Sequence, residues 1–196
     1  MADSLYFSLW FTEFDKTEML PHALRMLQQF VPSGTVPGIT YVALHPISWN
    51  EPTILEQRYK PGIPVEQAII VAADLLHEDY AYVFESSWDL WTPQASGEWT
   101  QQPSPVRFIV RGDEFEEHES ETQGQIQVDF GLDTPFLHEE LKITDELESR
   151  VRANVKLLVD FIQRVEKNAG AATRLLWSES DENLAQKLIG RLQRVQ

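Results

Sequence analysis

The sequence predicts an α+β fold, in which a β-α-β-β-α-β half is extended by a C-terminal ββα(β)α half. Three observations carry this expectation. Residues 5–12 alternate along the chain at the period of a strand. Residues 144–168 repeat apolar positions at the period of a helix. Proline- and glycine-rich turn signals punctuate the stretches between such elements. The 196 residues are 42% hydrophobic and include no cysteine, so a core must form without disulfides, and the length suffices for one.

The first strand sets Leu5, Phe7, Leu9 and Phe11 against Tyr6, Ser8, Trp10 and Thr12. Asp15 or Thr17 caps the helix that follows, with Met19, Ala23, Leu27 and Phe30 on its buried face, and Pro32, Gly34, Pro37 and Gly38 end the element. A second strand is expected over 39–47. Asn50-Glu51-Pro52 turns the chain into a short third strand over 53–59, broken by Pro61-Gly62. Pro64 opens a second helix whose stripe is Val65, Ile69, Ala72, Ala73 and Leu76, and a fourth strand follows over 80–90. Two β-α-β units in this order imply a ferredoxin-like four-stranded antiparallel sheet with both helices on one face. This half spans 1–92. A turn-rich connection over 93–105, which serves either as a hairpin tip or as a boundary, leads into a C-terminal half over 106–196. The two halves are expected to pack as one globular unit.

In that second half, 106–110 and 124–132 read as strands around a strongly acidic segment. The helix from Thr144 to about Asn168 has Leu147, Val151, Val155, Leu158, Ile162 and Val165 on one face. Gly170 stops it, 173–177 reads as a strand or a loop, and Ser178 or Ser180 caps a last helix through Leu184, Leu188, Leu192 and Val195. Several strands are apolar on both faces, so the sheet face left bare by the first two helices is expected to be covered by helix 144–168, a second subunit or a bound partner, with intrachain packing by the C-terminal half as the leading reading.

Charge excludes some function classes. Lys and Arg number 16 against 31 Asp and Glu, a formal net charge of −15. That surplus disfavours nucleic acid and anionic membrane surfaces as partners. The aliphatic runs are too short to span a bilayer, and the N-terminal stretch lacks the basic region of a secretory signal, so a cytoplasmic location is expected. The sequence contains no P-loop, no G-x-G-x-x-G, no G-x-S-x-G and no S-x-x-K. The histidines His22, His45, His77, His118 and His138 form no H-E-x-x-H, so neither a metal nor a cofactor is expected. Asp129 and Asp133, four apart in an extended segment, would lie roughly 13 Å from each other, too far for an acid–base pair.

Two candidate sites remain. The segment Asp113, Glu114, Glu116, Glu117, Glu119 and Glu121, joined by an aromatic patch of Trp88, Trp91 and Trp99, suits a basic protein partner. The expected function is then a non-catalytic recognition protein, and an inhibitor or immunity role against a cationic enzyme is one concrete form. The alternative is a small-molecule site on the bare sheet face near Trp10, Tyr41, His45, Tyr82 and Glu85, belonging to a binding domain or an enzyme. A third expectation is a structural subunit of a homo-oligomer, with a homodimer as the simplest case.

Overall fold

The computed structural model describes residues 3–94, 96–137, 145–179 and 184–193. Four sequence expectations lie outside them: His138, the Thr144 and Ser180 caps, and Val195. The strands are β1 (Ser4–Trp10), β2 (Ile39–Pro46), β3 (Leu55–Ile63), β4 (Tyr80–Pro93), β5 (Trp99–Arg111), β6 (Ile126–Leu132) and β7 (Thr173–Ser178). The α-helices are α1 (Met19–Leu27), α2 (Val65–Ala73), α3 (Glu119–Gln123), α4 (Thr134–Leu137), α5 (Asp145–Asn168) and α6 (Leu184–Gln193), with a 3₁₀ turn at Phe115–Glu117. The result is a mixed α+β protein with one seven-stranded antiparallel sheet, ordered β3-β2-β4-β5-β6-β1-β7.

The β-α-β-β-α-β element order is present, but the strands do not pair in the ferredoxin-like way. Strand β2 lies between β3 and β4, and β1 lies beyond β5 and β6. The cause is local pairing. Strands β4 and β5 form a hairpin whose register runs unbroken from Ala81↔Arg111 to Pro93↔Trp99. That short closure fills the place beside β4 at lower entropic cost than a return by β1 from far up the chain. Strand β1 pairs instead with β6 and β7.

The same hairpin corrects the expected 93–105 connection, which is mostly strand. Pro103 and Pro105 sit opposite Asp89 and Ser87, while β5 meets β6 only over 107–110. The proline-bearing part of β5 is thus a sheet edge, where a missing N–H breaks no ladder. Strand β3 likewise extends through Pro61 and Gly62 because it is the outermost strand.

Parity along the strands divides the sheet into two faces. One face carries the cross-sheet rows Val42–Phe84–Phe108–Val128–Phe7 and Leu44–Tyr82–Val110–Ile126–Leu9, all buried. Helices α1, α2, α4, α5 and α6 share one hydrophobic core with these rows. At its centre Phe30 meets Trp88, Phe108 and Phe161 at centroid distances of 5.1–5.6 Å, and Trp88 stacks on Phe130 at 5.2 Å. Burial of each such aromatic is worth roughly 1.5–3 kcal/mol.

Helix α5 therefore does not cover the second sheet face, contrary to expectation. Its stripe of Val151, Val155, Leu158, Phe161 and Val165 goes into the aromatic core beside α1. The second face mixes polar and apolar side chains, with the row Ala43–Val83–Ile109–Gln127–Ser8–Leu175 beside a strongly polar one. One row crosses all seven strands as Arg58–Tyr41–Glu85–Arg107–Asp129–Tyr6–Trp177. Within it Arg107 Nε bonds Glu85 Oε2 at 3.1 Å, the Arg58 guanidinium lies 4.7 Å from the Tyr41 ring centre, and Tyr6 and Trp177 rings sit 4.7 Å apart. Among the described residues the chain from Phe115 to Gln123 roofs one corner of this face, accepting bonds from Ser8 and Trp10. No described helix is long and apolar enough to cross a membrane.

Candidate functional site

The acidic segment is not a loose solvated tip. It leaves β5 through Gly112, where a Cβ would stand 1.9 Å from the Glu78 carbonyl oxygen, so only glycine permits the approach. The Gly112 amide donates to Tyr80 O at 2.8 Å, and the Glu114 amide to Glu78 O at 3.1 Å. Glu116, Glu117 and His118 then adopt left-handed backbone, with φ of 46°, 51° and 70°. Such strain persists only where other contacts impose it. The Glu116 amide donates to Ile47 O at 2.8 Å, and Phe115 is fully buried, edge-on to Trp49 at 4.9 Å.

Two of the six candidate acids turn inward. Glu116 Oε2 accepts the Trp49 amide at 2.8 Å. Glu119 Oε2 accepts both the Trp49 indole N–H at 2.9 Å and Arg111 Nε at 2.7 Å. Arg111 is 3% exposed, and its remaining N–H groups reach Gly124 O and Gln127 Oε1. Burial pulls its pKa down and Glu119 opposes that shift. Glu116 and Glu119 are thus structural ligands of Trp49 and Arg111. Asp113, Glu114, Glu117 and Glu121 are exposed.

Beside these acids the surface forms a cleft of about 380 Å³, lined by Phe14, Asp15, Lys16, Glu78, Asp113, Glu114 and Gln125. Four carboxylates face one lysine there. Asp15 is fixed because its carboxylate accepts the Thr17 hydroxyl, the Thr17 amide and the Glu18 amide, which holds its pKa below the usual value. Gln125 is fixed by accepting the Phe11 amide at 2.6 Å. Asp15 and Glu78 come from parts of the chain the sequence does not connect with the acidic segment. The signal for them was the Gly112 that lets the strands close on Glu78.

The tryptophans divide differently from expectation. Trp88 is 1% exposed and belongs to the helix-side core, so it offers no surface to a partner. Trp91 is half-buried beneath Arg150, whose guanidinium lies 5.0 Å from its ring centre, and Trp99 is half-buried opposite Pro93 at the hairpin tip. Trp49 lies at the other end of the sheet from Trp91 and Trp99, because antiparallel pairing brings the end of β2 to the start of β4.

The small-molecule set does not converge. Trp10, Tyr41, His45 and Glu85 lie on the uncovered face by strand parity, but Tyr82 lies on the opposite face. The Tyr82 hydroxyl bonds Leu75 O at 3.0 Å, and burial pushes its pKa up to about 12. Glu85 stands opposite Tyr41 and pairs with Arg107, whereas His45 stands opposite Ala81 with its ring against Trp49, so the two do not face each other. Burial lowers the His45 pKa. The Trp10 indole donates to Ser120 O and Glu121 O beneath α3. Among the described residues no group of three or more His, Asp and Glu side chains is placed to hold a metal ion. Comparison of the chain with family models, curated proteins and solved structures finds no match.

Proposed function

We propose that this chain is a non-catalytic recognition protein that binds a basic macromolecular partner at the acidic corner. The observation carrying the reading is the cleft lined by Asp15, Glu78, Asp113 and Glu114, held open by backbone bonds and by the Trp49–Glu119–Arg111 clasp. A Lys or Arg side chain of a partner fits this place. Carboxylates converge on its charge, and the Phe14 ring supplies apolar wall for its methylene stem. Fixed, pre-formed walls spare the partner the cost of ordering them. The net charge of −15 adds a long-range field that speeds encounter with a cation.

The test uses an oligoarginine peptide as probe, titrated calorimetrically into three proteins. They are wild type, a cleft variant (Glu78→Gln, Asp113→Asn, Glu114→Gln) and a remote variant with the same charge change (Glu66→Gln, Glu98→Gln, Asp145→Asn) at exposed positions. The cleft variant should lose about tenfold or more in affinity, equivalent to about 1.4 kcal/mol, and the remote variant far less. Equal losses in both would mean that bulk charge alone attracts the peptide, and the proposal would fail.

A further inference from the structure

The two edges of the sheet are built differently. The β3 edge carries Glu56, Arg58 and Lys60, all exposed, together with Pro61. Charges and proline on an outer strand block further pairing. The β7 edge, Thr173-Arg174-Leu175-Leu176-Trp177-Ser178, has no proline, no glycine and one charged side chain. That side chain, Arg174, is drawn to Glu166 of α5. Leu175 is 52% exposed on the uncovered face, beside the half-buried Trp177. Among the described residues β7 pairs with β1 alone, so its outer row of N–H and C=O groups has no strand partner.

We propose that β7 is the docking edge for a second copy of this chain, joined by antiparallel β7–β7 pairing about a two-fold axis. This goes beyond the acidic corner and does not depend on it. Two features select a second copy. Antiparallel pairing about a two-fold gives each outer backbone group its complement from an identical strand. Residues directly opposite in such a ladder share a face, so a two-fold at Leu176 sets Leu175 of one copy against Trp177 of the other, an aliphatic–aromatic cross-strand pair. Arg174 lies on the helix side, where Glu166 holds it, so it leaves the Leu175–Trp177 face clear for this pairing.

Sedimentation velocity from about 5 to about 500 µM spans the range in which a single-strand interface of this size associates. Wild type should rise with concentration from 22.6 kDa toward twice that mass. Leu175→Lys should stay at 22.6 kDa throughout. Ile70→Lys, the same change at a site on α2 that is 63% exposed, should associate as wild type does. Leu175→Thr, which keeps strand propensity but removes the aliphatic half of the cross-strand pair, should weaken association several-fold and stands in if Leu175→Lys loses its native circular dichroism. The proposal is overturned if wild type remains at the single-chain mass, if Leu175→Lys associates normally, or if Ile70→Lys also abolishes the dimer.

Discussion

Replacing Glu119 by alanine isolates what holds the acidic corner in place. The carboxylate is 23% exposed at its side chain, its partner Arg111 is 3% exposed, and the same oxygen also receives the Trp49 indole. Removing one member of a buried ion pair costs about 3–5 kcal/mol, because the other charge stays buried without compensation. Water can reach the vacated position through the exposed part of the Glu119 site. The lower end, about 3 kcal/mol, is therefore the expected loss. Arg111→Met together with Glu119→Ala removes both charges and leaves only the indole N–H and the Gly124 and Gln127 acceptors without partners. The double variant should lose less than the Glu119→Ala variant alone, by about 1 kcal/mol or more. Urea unfolding followed by circular dichroism measures wild type, the Glu119→Ala and Arg111→Met single variants and the double variant. A loss below about 1 kcal/mol for Glu119→Ala, or a double variant as costly as the sum of its parts, would refute the view that a buried arginine depends on this one carboxylate.

Two further outcomes follow from other parts of the molecule. Asn154, 1% exposed on α5, accepts the Trp91 amide and donates to Trp91 O and Pro135 O at 2.8–2.9 Å, so Asn154→Ala should cost about 3 kcal/mol in thermal or urea unfolding. A loss under about 1 kcal/mol would mean that the β4–β5 hairpin does not lean on it. His22, 9% exposed between Phe11 and Phe14, has its pKa lowered from 6.5, first by burial. The unfolded chain then binds more protons than the folded one below pH 6.5, so this group's contribution to stability falls as pH drops through 6.5 toward the folded value. An NMR titration of the His22 ring should give a midpoint below 6.5, and a midpoint at or above it would contradict the burial argument.

Much of this architecture was legible from local pattern. The alternation in β1, the stripe of α5 and the glycine and proline stops placed most strands and helices near their observed positions. Which strands would become neighbours was not legible, because both the ferredoxin-like pairing and the observed one satisfy the same element order. The difference rests on the β4–β5 hairpin, hidden behind Pro103 and Pro105. Parity was readable but only partly used. Residues 82 and 85 are an odd number apart, which puts Tyr82 and Glu85 on opposite faces, and Trp88 shares the parity of Phe84 and so goes to the core. The inward turn of Glu116 and Glu119 left no local mark. Their partner Trp49 is 67 and 70 residues away, and an acidic run looks the same whether its members meet solvent or an indole.

The position of β1 has a consequence for how the chain reaches this state. The first strand to be made is held between β6 and β7, the last two, and the Ser8 hydroxyl accepts the Trp177 indole N–H across 169 residues. During synthesis, therefore, the N-terminal strand waits unpaired until β6 has emerged and gains its second neighbour only with β7, while the β2–β3 and β4–β5 hairpins zip up early. Assembly should be slow for a protein of this length, since its closing contacts span the longest loops. A ribosome-bound chain lacking residues beyond 120, and so without β6, should leave Leu5, Phe7 and Leu9 in want of a chaperone.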